Sequence, residues 1–258
     1  MSIYQHFREE ERTFVDQVLQ WREDVKIKHL VRLTDFLDPR QQEIARTIIG
    51  NDDEVSLSYS GGSPYAERCR LRLTPPYLET NLEDFQLTLF LIQYPSKFVT
   101  IQHRDLLGAV MNMGLKREKF GDLLLDDNGT AQMIVNQEIA DYVEMNLQSV
   151  GKAPVKLNRI PISEHIIPKD SWTEETTTAS SMRLDTILAQ MYKLSRAKVA
   201  PYIEKGLVKV NWKTIDRPDY VLEVGDYISV RGFGRARIQA IEGMTKKEKY
   251  RLRFGRKQ

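Results

Sequence analysis

The stretch that most constrains the fold lies near the C-terminus, where four short motifs follow one another in order. They are Met182-Arg-Leu-Asp-Thr-Ile-Leu, Leu194-Ser-Arg-Ala-Lys-Val, Glu204-Lys-Gly-Leu-Val-Lys-Val-Asn-Trp-Lys and Val224-Gly-Asp-Tyr-Ile-Ser-Val. Arg183 and Leu184 open a run in which Ile187, Leu188 and Met191 recur at helical spacing. Ser195 stands at an N-cap position, so the free amides of the next helical turn lie beside Arg196 and Lys198. Gly206 follows Glu204-Lys205 as a glycine just past a helix end, and Leu207-Val-Lys-Val alternates like a half-buried strand. Val224-Gly225-Asp226 is turn chemistry ahead of Tyr227-Ile-Ser-Val. The predicted order is helix, capped helix, strand, turn and closing strand, with cations where elements begin and turn.

These residues resemble an S4 RNA-binding domain, over about fifty residues. The resemblance implies RNA contact at Arg183, Ser195, Arg196, Lys198, Lys205, Asn211 and Lys213; Lys209, between apolar Val208 and Val210, alternates outward. Two positions depart from the family pattern. Trp212 stands where many S4 domains have glycine, which predicts a looser turn or an indole able to stack on a base. Pro201, inside the second helix, predicts a kink that redirects Lys205.

Charge is distributed to match. From Met182 to Gln258 there are 18 Lys+Arg against 8 Asp+Glu, a net of +10, while the first 181 residues carry 20 against 28, a net of −8. A basic module on an acidic body is the footprint of a polyanion binder. No run approaches the ~20 apolar residues of a membrane span, and the start of the chain lacks an apolar signal core. With one cysteine, Cys69, no internal disulfide forms, which fits a reducing cytoplasm.

Taken in order, residues 4–24 read as a helix carrying Tyr4, Phe7, Phe14, Val18 and Trp21 near one face. Asp38-Pro39 opens a second helix through Ile49. Val55–Tyr59 and Arg70–Leu73 read as strands around the Ser60-Gly-Gly-Ser-Pro loop, which lacks the Gly-Lys-Ser/Thr ending of a phosphate loop. Phe85–Tyr94 (strand), Arg104–Met113 (helix), Phe120–Asp126 and Thr130–Val135 (a hairpin across Asp127-Asn-Gly), Glu138–Leu147 (helix) and Val155–Ile160 (strand) give the order β-α-β-β-α-β of a ferredoxin-like fold. The expected class is therefore α+β. It comprises a small mixed N-terminal domain (1–76), a ferredoxin-like, RRM-like middle domain (77–162), a polar linker (163–181) partly packed through Trp172, and an S4 domain with a basic C-terminal extension (182–258). The last fifteen residues hold seven Lys+Arg against one Glu. They fit either a strand with one basic face or a disordered basic tail.

His103-Arg-Asp-Leu imitates a kinase catalytic loop, but Val110 occupies the position of the required asparagine and no Asp-Phe-Gly follows. The longer run His103-Arg-Asp-Leu-Leu-Gly-Ala-Val-Met-Asn-Met-Gly-Leu-Lys-Arg-Glu-Lys-Phe-Gly-Asp resembles the central motif of the YlmH family, bacterial S4-domain proteins whose genes lie among cell-division genes. Arg104, Lys116, Arg117 and Lys119 cluster around this helix and turn as a secondary RNA contact. The four histidines are scattered without metal-ligand spacing, and Cys69 reads as a buried thiol. No catalytic residue, metal or cofactor is expected. Asp122, Asp126 and Asp127 read as hairpin residues rather than paired acids.

The resemblance implies a non-enzymatic RNA-binding protein acting on the ribosome. Its partners would be structured ribosomal or transfer RNA on a large subunit carrying stalled peptidyl-tRNA, in rescue and quality control. Two alternatives stand beside it: an rRNA-modifying enzyme targeted by its S4 domain, and a cell-division adaptor whose acidic N-terminal body meets a protein partner. The sequence lacks the large catalytic domain that a pseudouridine synthase or methyltransferase requires.

Overall fold

The computed structural model describes residues 3–7, 9–50, 52–167 and 173–257. The chain divides into two compact units at residues 169/170.

In the first unit, 3-10 turns at Ile3–His6 and Glu9–Glu11 lead into helix α1, Arg12–Lys28. The helix thus starts later than residue 4 and ends later than residue 24. Val15, Val18, Trp21 and Val25 fall on one face and are buried, while Tyr4, Phe7 and Phe14 pack half-buried beside them. Strand β1, Arg32–Leu37, leads to α2, Pro39–Ile49. Asp38 caps α2: its carboxylate accepts from Gln41 N at 2.9 Å, and Gln41 Oε1 accepts from Asp38 N at 2.9 Å. Strands β2, Ser56–Ser60, and β3, Cys69–Thr74, complete an antiparallel three-stranded sheet in the order β1-β3-β2.

The middle of the chain adds β4 (Leu87–Gln93), α3 (His103–Asn112), β5 (Phe120–Leu125), β6 (Ala131–Asn136), α4 (Ala140–Asn146), a small hairpin of β7 (Ser149–Val150) and β8 (Ala153–Pro154), and β9 (Lys156–Ile160). The four long strands pair antiparallel in the order β5-β6-β4-β9, which is the ferredoxin-like arrangement expected from the β-α-β-β-α-β reading. The β5–β6 turn is an Asx turn: Asp126 Oδ1 accepts from Asn128 N (3.0 Å) and Thr130 N (2.7 Å), with Gly129 at φ 82°.

One face of this sheet packs on the helices through Phe90, Ile92, Leu106, Val110, Met133 and Val143. The other is covered as well. Phe36 from β1 lies against Leu89, Leu124 and Ile134, with Leu87, Ile160, Ile162 and Ile166 around it. Gly121 makes this approach possible, because a Cβ there would sit 2.8 Å from the Phe36 ring. Polar clamps hold the same seam. Arg70, 5% exposed, donates to Thr34 O (2.7 Å), Phe85 O (2.8 Å) and Gln86 O (3.1 Å). Asp122 accepts from Glu67 N (2.8 Å) and Arg68 N (3.1 Å), a role across the seam rather than in the hairpin turn.

The second unit differs from expectation at its start. The segment expected as a polar linker, 163–181, carries β10, Thr173–Ala179, whose alternate residues Glu175, Thr177 and Ala179 turn to the core side of the sheet and whose threonines suit a pleated surface. Trp172 lies outside the described residues. Helices α5, Leu184–Met191, and α6, Arg196–Glu204, precede β11 (Val208–Val210), β12 (Lys213–Thr214), β13 (Tyr227–Val230), β14 (Gly234–Met244) and β15 (Tyr250–Lys257). The antiparallel sheet runs β10-β15-β14-β13-β11-β12. The basic C-terminal extension is therefore a long hairpin. Leu252 and Phe254 enter the core, and Arg251 and Arg253 face out. Ile187, Leu188, Val199 and Ile203 from the two helices fill the other half of that core.

Candidate nucleic-acid interface

Arg183 occupies the N-cap position of α5 and Ser195 that of α6. Between them lies Asp185, 6% exposed, a residue that sequence reasoning did not single out as a site. Arg183 donates from Nε to Asp185 Oδ1 and from Nη2 to Oδ2, both at 3.2 Å, and Arg196 Nη2 donates to the same carboxylate. Thr186 Oγ1 adds a further hydrogen bond at 3.2 Å. Burial alone would raise the Asp185 pKa, but these donors outweigh it and hold the carboxyl at about 2. One buried carboxylate thus fixes two half-exposed guanidinium groups next to each other at adjacent helix starts. Planar guanidinium groups present fork-shaped donors that match phosphate oxygens.

The Ser195 side chain makes no capping hydrogen bond, though its carbonyl accepts from Lys198 N (2.9 Å) and Val199 N (3.1 Å). The exposed Ser195 hydroxyl and the Lys198 side chain stand beside Arg196 on the first turn of α6. Lys205 does not join them. It caps the far end of α6, about 15 Å along the axis at ~1.5 Å per residue. The helix span continues through Pro201 to Glu204 and closes with Gly206 N on Ile203 O and Leu207 N on Tyr202 O, both at 2.9 Å. This double closure, with Gly206 at φ 67°, defines where Lys205 sits despite the proline.

Lys209, Asn211 and Lys213 form a third group on the β11–β12 hairpin. Val210 pairs with Lys213, so Asn211 and Trp212 are a two-residue turn with φ of 48° and 64°. That is a tight turn with both central residues left-handed, not the loosened turn expected from Trp212. Asn211 is a folding residue as much as a contact. Its Nδ2 donates to Asp226 Oδ1 (2.8 Å) and its Oδ1 accepts from Tyr227 N (2.9 Å). The Trp212 ring rests on Tyr227 with centroids 5.4 Å apart, and the Arg237 guanidinium lies 4.8 Å from the centre of the Tyr227 ring.

The four cations expected as a secondary contact separate in the structure. Arg104 and Lys116 are exposed. Arg117 turns inward and donates to Phe120 O (2.6 Å) and Gly121 O (3.1 Å), and burial lowers its pKa to about 10. Lys119 bridges Asp35 (3.0 Å) and Glu138 across the seam, where Asn136 also donates to Asp35 (2.6 Å). Arg117 and Lys119 are structural cations. An RNA-recognition module reads RNA by stacking bases on its open sheet face; here that face carries Phe36 instead.

Cys69 is buried, and burial followed by the neighbouring Asp122 charge raises its thiol pKa to about 12. Among the described residues no cluster of three His, Cys, Asp or Glu is arranged to hold a metal, and no helix is long and apolar enough to cross a membrane.

Three family models match the chain in tandem: "YlmH, N-terminal" over residues 10–78, "Putative RNA-binding domain in YlmH" over 80–164, and "S4 domain" over 182–228. A relative from Bacillus subtilis (strain 168) is 46% identical over 255 residues, spanning 99% of this chain and 98% of the relative. The chain belongs to the YlmH family. The Bacillus member carries the name ribosome-associated protein quality control protein P2. A solved YlmH-family structure, cell division protein ylmH from Streptococcus pneumoniae, is 33% identical with a TM-score of 0.55, covering 64% of this chain and 100% of that one. All of β14 and β15 lie beyond the S4 match, as does β10 before it.

Proposed function

We propose that this YlmH-family chain is a non-enzymatic RNA-binding protein that acts on the ribosome. In this reading it grips structured ribosomal or transfer RNA on a large subunit carrying stalled peptidyl-tRNA, as part of cytoplasmic rescue and quality control. The observation that carries it is the pair Arg183 and Arg196 locked on buried Asp185, with Lys198 further along the first turn of α6. Two preset guanidiniums and an ammonium on a flexible stem suit a phosphate backbone, which is recognised in folded RNA by shape and phosphate geometry. The name borne by the Bacillus relative points the same way. Ultraviolet crosslinking in cells, followed by sequencing of bound RNA, tests the reading. Recovery of ribosomal and transfer RNA, reduced in an Arg196→Ala/Lys198→Ala variant, is the expected result; crosslinks spread over messenger RNA without that enrichment would contradict it.

The name of the Streptococcus relative favours a second reading, a cell-division adaptor using the acidic N-terminal body. A protein partner that survives nuclease treatment in a pull-down would favour it over the first.

A further inference from the structure

The long hairpin beyond the S4 match gives the sheet a second cationic surface. Register places Lys209, Ser229 and Arg235 in one row across three strands, and Tyr227 beside Arg237 in the next. On β15, Arg251 and Arg253 face outward next to the exposed Thr178 and Thr176 of β10. Ala236, Ile238, Leu252 and Phe254, the alternate residues, point into the core against α5 and α6. By the two-residue alternation of strands, the arginines therefore lie on the side of the sheet away from the helices. Residues two apart on a strand are about 6.8 Å apart and neighbouring strands about 4.8 Å apart, so these cations form a lattice that a phosphate chain can track.

Two further observations favour nucleic acid as the occupant. The Trp212–Tyr227–Arg237 stack lies in this same lattice and offers aromatic edges and a guanidinium plane together. Trp212 also holds φ 64° in a turn where glycine would be unstrained, so a bulky ring is kept at a conformational cost. Arg253 lies on β15 between Gly255, which pairs with Arg237, and Arg251, and is held 4.0 Å from Glu174 and 3.4 Å from Glu242, so the cations left to a ligand are those on either side of it.

The geometry points to a second RNA-binding surface on the outer face of this sheet, centred on Lys209, Arg235, Arg237 and Arg251. It takes a phosphate backbone independently of the helix-side cluster around Asp185. The C-terminal module is then two-sided and holds two RNA segments at once. This rests on the RNA-binding reading above, and the experiment separates the two.

The test uses the full-length protein, a fluorescein-labelled RNA hairpin and phosphatidylglycerol vesicles, with affinity measured against salt. The sheet variant is Arg235→Ala/Arg237→Ala/Arg251→Ala and the helix variant is Arg196→Ala/Lys198→Ala, which leaves Arg183 paired with Asp185. Removing one cation–phosphate pairing lowers the log–log salt slope by roughly 0.7–0.9. The sheet variant is therefore expected to lower the slope by about two to three units and the helix variant by about one to two, with additive effects when combined. The lysine-for-arginine version of the sheet variant should retain the slope, which separates charge from folding damage. An unchanged sheet variant beside a weakened helix variant would overturn this inference and leave the RNA-binding reading intact. No change in either variant would overturn both. Loss of vesicle binding with RNA binding retained would assign the surface to lipid and overturn RNA as its occupant.

Discussion

Asp185 shows how one residue sets a surface. Its carboxylate is buried and shared by Arg183, Arg196 and Thr186, with a folded-state pKa of about 2 against an ordinary value of 3.8. Because the folded value lies below the unfolded one, its contribution to stability is present above about pH 4 and is lost as pH falls toward 2. That shift corresponds to on the order of 2 kcal/mol. Asp185→Asn should cost about that much at pH 7, and the difference from wild type should close near pH 2 in urea titrations; a pH-independent difference would show that the carboxylate charge is not what the arginines hold. The pair also explains why deleting both Arg183 and Arg196 is a poor probe of RNA binding, since a buried carboxylate left without partners costs about 3–5 kcal/mol. Trp212 gives a second test. Its left-handed backbone costs about 1–2 kcal/mol, while its ring pair with Tyr227 returns about 0.5–1.5. Trp212→Gly relieves the strain and Trp212→Ala does not, so thermal unfolding should find the glycine variant about 1 kcal/mol the more stable of the two. Equal stabilities would contradict the turn geometry. Arg183 and Arg196 are legible in the sequence because helix starts announce themselves there. Asp185 is not, because burial of a charge becomes visible only once its partners meet in space.

At the scale of elements, periodicity marks the helices and the four long middle-domain strands, while several strands escape it, among them β14 (Gly234–Met244), β1 and β10. Strand β1 carries Thr34 inward, where its hydroxyl accepts from Leu71 N at 2.9 Å, so a polar residue occupies an apolar position in the alternation. Strand β10 is Thr-Glu-Glu-Thr-Thr-Thr-Ala, polar enough to read as a connector; its place is set by pairing with β15 far along the chain. The start of α1 escapes for a different reason: Tyr4, Phe7 and Phe14 pack on the same core as the helix although the first two precede it. The proline in α6 removes a backbone donor, as its position in the sequence implies, but the double closure at Gly206 sets the helix end whatever the proline does. Pro201→Ala should therefore stabilise the C-terminal unit by roughly 1–2 kcal/mol and leave RNA affinity unchanged. A destabilised variant would show that the proline has a packing role.

For the larger of the two units, the central fact is the seam between the three-stranded sheet and the ferredoxin-like sheet. Phe36, Gly121 and the clamps of Arg70, Asp122 and Lys119 join them. The pattern of the middle domain is readable in the sequence, but the covering of its open face is not, because no local signal says that Phe36 will cross to another sheet. Phe36→Ala should cost about 3–5 kcal/mol, with hydrogen exchange accelerating in β1–β3 and β4–β6 together; acceleration confined to one sheet would show that the two sheets unfold independently. Positive charge concentrates in the C-terminal stretch from Met182, which carries +10 against −8 for the rest. The most direct measurement is the salt dependence of binding to purified ribosomal large subunits, comparing wild type with Lys198→Ala and Arg196→Ala singly and together. Arg183 stays in place to keep Asp185 paired. Weaker binding is predicted, with a slope reduced by about one unit per cation removed. Binding of undiminished strength and slope in the double variant would contradict an RNA grip built on the Asp185 cluster.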